Sequence, residues 1–112
     1  MALKVRRPNP GTMKKYGYTI PMWRELLKSQ EGVCFICGIV PPSRILCFDH
    51  EHVRGWRKMP PEQRRLYVRG LCCVYDNFRL LRKGVTLAKA RRVVAYLERY
   101  EARSERPGVD VS

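Results

Sequence analysis

The stretch Ile45-Leu46-Cys47-Phe48-Asp49-His50-Glu51-His52 runs from four apolar residues straight into a cluster of ionisable ones. It follows the chain breaker Pro41-Pro42-Ser43, and four apolar residues are too few for a helix, so a short strand leading into Asp49-His50 is predicted. Leu66-Tyr67-Val68 is its expected partner strand. The connection from Val53 to Arg65 is long and carries Arg54, Arg57, Lys58, Arg64 and Arg65 around Trp56, with Pro60-Pro61-Glu62 starting a helical turn inside it. Asp76 stands where an N-cap would, opening a short helix through Leu81 that Gly84 ends. Strand, loop, strand and helix in that order make an α+β unit.

Outward from this centre, Thr19 or Ile20 followed by Pro21 reads as a helix start, with Trp23, Leu26 and Leu27 on one apolar face and Gly32 as the stop. Thr86 caps a longer helix to about Tyr100, with Leu87, Ala90, Val94 and Leu97 as its apolar stripe. Residues 1–12, with Pro8, Pro10 and Gly11, read as a flexible basic arm, residues 13–103 as one domain, and residues 104–112 as a disordered tail.

A chain of 112 residues supports a single thin core, so a further staple is expected. Its 23 Lys and Arg against 10 Asp and Glu give a formal charge of +13, which points to a polyanionic partner. No apolar run approaches about 18 residues and no lipidation motif is present, so nucleic acid is preferred over a membrane surface, with RNA an alternative to DNA. The basic N-terminal segment lacks the apolar stretch of a secretory signal, which places the chain in a reducing cytoplasm where disulfides are not expected.

Five cysteines include Cys34-Phe35-Ile36-Cys37, a spacing that suits a metal. A second ligand pair is offered roughly 35 residues later, where Cys73 and Asp76 repeat the x-x spacing, giving Cys34, Cys37, Cys73 and Asp76 as a zinc set. A carboxylate is harder than a thiolate, so this site should hold zinc less tightly than four cysteines would. The alternative is that Asp76 only caps its helix and that water, Cys72 or Cys47 completes the set, or that no metal binds. Cys47, inside an apolar strand, reads as a small buried hydrophobe.

Both histidines of the chain fall in Asp49-His50-Glu51-His52, beside one of its three aspartates. Hydrolysis of a phosphodiester needs a divalent ion on the phosphate, a base for the water and neutralisation of the leaving oxygen. Asp49 offers a hard oxygen for Mg²⁺, and His50 a base that titrates near neutral pH. Alone, the run would read rather as half a zinc site or as a surface cluster.

Further text in the same order settles the choice. Tyr16-Gly17, Cys34-Phe35-Ile36-Cys37-Gly38, Asp49-His50-Glu51-His52 and Arg69-Gly70-Leu71-Cys72-Cys73-Val74-Tyr75-Asp76-Asn77 together resemble the recombination endonuclease VII family over roughly residues 14 to 84. The resemblance implies a zinc-stapled ββα-metal (His-Me finger, HNH-type) domain with flanking helices. It also implies that Asp49 and Asn77 bind one catalytic Mg²⁺, or Mn²⁺ in its place, that His50 is the general base, and that His52 assists at the phosphate. Asp76 stands where the family pattern has its fourth cysteine, and the connection from Val53 to Arg65 is longer than the family's.

The implied activity is a metal-dependent DNA endonuclease selective for branched DNA such as Holliday junctions, acting in the cytoplasm of a host cell if phage-encoded, with a homodimer left open. A general DNA-nicking HNH-type enzyme is the second reading, and a non-catalytic zinc-dependent DNA-binding module the third. The basic residues of the long connection, alternating with Trp56 and Tyr67, read as a surface that grips a nucleic-acid strand.

Overall fold

A computed structural model describes residues 4–81 and 85–103. Asn9 caps the first helix, α1 (Pro10–Tyr16), by accepting from the Thr12 N–H at 2.8 Å. The helix stops at Gly17, whose left-handed φ of 72° closes the last turn onto Lys14 and Met13. Thr19 caps α2 (Ile20–Ser29), with Pro21 in its first turn, as the sequence suggests. One turn apart on its inner face, Trp23 and Leu27 are both 1% exposed. Burial of each contributes roughly 1.5–3 kcal/mol.

Two antiparallel strands follow, β1 (Cys47–His50) and β2 (Val68–Cys72). Both begin about two residues later than expected, so Asp49 and His50 lie inside β1, while Leu66 and Tyr67 belong to a 3-10 turn ahead of β2. Phe48 and Leu71 of this ribbon, with Leu46 just ahead of β1, share one buried cluster with Trp23, Leu27 and Met13. Gln30 stands in for a third strand: its side chain donates to the Leu71 carbonyl and accepts from the Leu71 N–H, both at 2.8 Å. Between the strands, Trp56–Lys58 forms a 3-10 turn and Pro61–Arg64 forms α3, the helical turn expected from Pro60-Pro61-Glu62. A third packed element, α4 (Val74–Arg79), leaves β2 directly and lies against β1. The ββα order is therefore present in an α+β domain.

Three expectations change. Residues 5–12 are not a free arm: Val5 is buried in the core, the Arg6 N–H donates to the Arg44 carbonyl at 2.7 Å, and α1 begins at Pro10. Asp76 is not the cap of α4, because Cys73 holds that position and its Sγ accepts from the Asp76 N–H. The last helix, α5 (Leu87–Arg103), is capped by Thr86 as expected, yet every side chain from Leu87 to Ala102 is exposed, so its apolar stripe finds no cover among the described residues. Gly84 and the expected tail lie outside the described residues. No described helix is long and apolar enough to cross a membrane.

Candidate active site and metal centre

The turn after α2 runs Cys34 to Gly38, where a positive φ of 73° at Gly38 lets its N–H reach back to the Cys34 carbonyl at 3.0 Å. That turn faces the start of α4. Cys34, Cys37, Cys73 and Asp76 come together there, with donor atoms all within 4.8 Å of one another. A tetrahedron of thiolates about 2.3 Å from zinc has edges of about 3.8 Å, so small shifts would close the set on an ion. The thiols of Cys34 and Cys73 both donate to one oxygen, Asp76 Oδ2, at 3.5 and 3.1 Å. Asp76 therefore turns its carboxylate into the cluster.

The electrostatics of the cluster are divided, with Cys34 and Asp76 lowered and the Cys37 and Cys73 thiols raised. Burial would raise the Cys34 thiol, but backbone N–H groups of Cys37, Cys73 and Ile36 outweigh it and hold the pKa below its ordinary value. The Cys73 thiol is pushed up to about 12, chiefly by burial. Asp76 is lowered, mainly by the Cys73 thiol that donates to it. A buried carboxylate among thiols is a donor set able to hold a metal such as zinc. Cys72 and Cys47 stay outside the set, and Cys72, also pushed up to about 12 by burial, is a small core residue.

The second constellation grows from β1. Asp49 is 4% exposed, and both its oxygens are held by Arg69, whose Nε donates at 2.7 Å and Nη2 at 3.0 Å. The strands slip here: Asp49 pairs with Gly70 and His50 with Val68, so Arg69 is the extra residue of a β-bulge. A bulge re-aims side chains next to a site, and this one turns Arg69 onto Asp49. Next along β1, His50 is half-buried and lies flat on Trp56, with ring centroids 4.1 Å apart. The exposed His52 ring is 4.9 Å from that of His50. Burial, then the nearby His52, lowers the His50 pKa, which favours the neutral imidazole. Half-buried Asn77 is carried on α4, the helix against β1.

Tyr16 completes an aromatic wall, stacked on Phe48 at 4.8 Å and lying 5.6 Å from His50 and 5.5 Å from Trp56. In the sequence Tyr16 and Arg69 stand only as letters of a motif, and nothing marks out Gln30. Their roles depend on a bulge and on long-range packing that leave no local signal.

The long connection divides into two parts. Trp56 is 5% exposed and covers His50, so its face is not free to stack a base. Arg64 donates to the carbonyls of Met59 and Lys15, both at 2.8 Å, and Arg65 to that of Gly17 at 3.0 Å. These two cations pin the connection to α1. Arg54, Arg57 and Lys58 instead line an open cleft of about 710 Å³ with Lys15, His50 and His52.

A family model, recombination endonuclease VII, matches residues 11–99. No match was found among curated proteins or among solved structures. The match begins inside α1 and ends inside α5, taking in both strands, both histidines and the whole thiol cluster, so the chain belongs to the recombination endonuclease VII family of DNA endonucleases.

Proposed function

We propose that this protein hydrolyses phosphodiester bonds of DNA with a divalent cation, cutting branched DNA such as four-way junctions in preference to plain duplex. The observation that carries the reading is the pairing, on one strand, of a buried carboxylate held by a guanidinium with a stacked imidazole that opens on a cationic cleft. Asp49 fits a metal site because its carboxylate keeps lone pairs beyond the two that Arg69 engages, and Asn77 on α4, the helix against β1, would supply a second oxygen. Bound there, Mg²⁺ or Mn²⁺ would supply charge neutralisation at the scissile phosphate and the leaving oxygen.

The chain's own residues do the rest. His50 accepts the proton of the attacking water, and stacking on Trp56 restricts how its ring can turn. His52 donates a hydrogen bond to the phosphate. Lys15, Arg54, Arg57 and Lys58 hold the backbone on either side of it. Cys34, Cys37, Cys73 and Asp76 hold a structural zinc that ties α4 to the turn after α2. Five free cysteines suit a reducing cytoplasm, that of a host cell if the gene is a phage one. Symmetric cutting of two strands needs two sites, and the bare stripe Leu87, Ala90, Val94 and Leu97 of α5 is the surface through which a homodimer would form.

The experiment is incubation of the purified protein with duplex, single-stranded and four-way-junction DNA of matched sequence, with Mg²⁺ and with EDTA. Metal-dependent cutting, fastest on the junction, is expected. Equal rates on duplex would favour a general nicking enzyme. DNA binding with no cutting by Mg²⁺ or Mn²⁺ would leave a non-catalytic binding module.

A further inference from the structure

The ion pair between Arg69 and Asp49 is the most specific polar contact of the site. Arg69 places two N–H groups on the two oxygens of a carboxylate that is 4% exposed, while its own side chain is 38% exposed. The bulge that leaves Arg69 unpaired in the ladder is what directs it there. A bidentate pair of this kind is oriented at both ends and is stronger than a neutral hydrogen bond.

We propose that Arg69 makes metal binding and DNA binding depend on one another, an inference that rests on Asp49 being a ligand of the catalytic cation. A carboxylate has about four lone-pair sites, so the guanidinium does not exhaust Asp49. It does set a positive charge where a divalent cation must arrive, and the two repel. Without DNA, Arg69 therefore holds the place of the cation and keeps metal affinity low. A backbone phosphate brought up beside Asp49 would offer the guanidinium a second bidentate partner, and the Arg69 side chain, 38% exposed, is open to solvent on that ribbon. Once Arg69 moves to phosphate, Asp49 is free for the cation. Linkage then requires the reverse effect: the cation, by displacing Arg69 from Asp49, raises affinity for DNA by the same factor.

The test measures Mn²⁺ binding by titration calorimetry on zinc-loaded full-length protein, in a His50→Ala background so that DNA stays intact, with and without a duplex oligonucleotide. With Arg69 present, DNA should tighten Mn²⁺ binding at least tenfold. In Arg69→Gln, which keeps a donor for Asp49 but removes the charge, Mn²⁺ should bind at least tenfold tighter without DNA, and adding DNA should change little. Arg69→Ala should behave alike where it folds, and the Gln variant carries the test where it does not. Weaker Mn²⁺ binding in Arg69→Gln, or an undiminished effect of DNA, would overturn the proposal. Asp49→Ala separates the two levels: Mn²⁺ binding unchanged by that substitution would remove Asp49 from the metal site, and with it the functional reading beneath this one.

Discussion

The imidazole of His50 and the indole of Trp56 are stacked, with ring centroids 4.1 Å apart and planes 17° from parallel. The indole is itself covered by the Arg64 guanidinium, 5.5 Å from its centroid. The imidazole proposed as the base is thus held by a residue that belongs to the long connection between the strands. Trp56→Ala should cost about 3–5 kcal/mol of stability and lower the cleavage rate at saturating DNA more than tenfold. Trp56→Phe, which keeps an aromatic face, should recover most of that rate. Equal activity in the Ala variant and the wild type, measured on folded protein, would show that the stack does not position His50.

The pH profile follows from the same environment. Burial, first, and then the charges of His52, Lys15 and Arg69 lower the His50 pKa below its ordinary 6.5, against the opposing pull of Asp49. The base works when neutral, so activity should be present at pH 7 and lost as pH falls through a midpoint below 6.5. A cation on Asp49 adds positive charge and moves the midpoint the same way. Single-turnover cleavage rates from pH 5 to 8 give the limb directly, and a midpoint above 7 would contradict the assignment.

Asp76 offers a test of the metal centre that is separate from catalysis. Because the cap of α4 is Cys73 and the carboxylate faces the thiols, Asp76→Ser should lose zinc and melt lower, as should Asp76→Ala. Asp76→Cys should keep the fold and bind zinc more tightly, since a fourth thiolate suits the ion better than an oxygen. Wild-type protein should carry about one zinc per chain, surviving mild EDTA treatment that stops cleavage. Stoichiometric zinc and an unchanged melting temperature in the Ser variant would remove Asp76 from the ligand set.

Much of this could be read from local pattern. Thr19 with Pro21 marks the start of α2 because the cap and the ring act within a few residues, and the x-x spacing brings Cys73 and Asp76 onto one turn beside Cys34 and Cys37. Strand ends were displaced by about two residues because Leu66 and Tyr67 are as apolar as a strand requires, yet the chain is still turning through them. The basic residues of the long connection all looked alike in sequence. Only the fold separates Arg64 and Arg65, which bond backbone carbonyls of α1 and the residue after it, from Arg54, Arg57 and Lys58 at the cleft. Arg69 could not have been singled out, since its partner Asp49 is 20 residues away and meets it through a bulge.

Gly17 explains half of the Tyr-Gly pair. Its φ is 72°, and a Cβ built there would lie 2.1 Å from the Pro61 carbonyl oxygen, where the start of α3 crosses the end of α1. Neither the conformation nor the space admits a side chain. Gly17→Ala should cost roughly 2 kcal/mol or more, read as a lower midpoint in urea unfolding, and should loosen Lys15 and Tyr16 beside the cleft. A change within about 0.5 kcal/mol, the usual range of a neutral surface substitution, would mean that this crossing is not as described.

The role proposed for His50, base of a metal-dependent DNA endonuclease, is read most directly by junction cleavage by His50→Ala with Mg²⁺ under single-turnover conditions. A loss of at least a hundredfold is expected, within the range a positioned base contributes, with zinc content, melting temperature and DNA affinity close to those of the wild type. Cleavage within a few-fold of the wild type by that variant would contradict it.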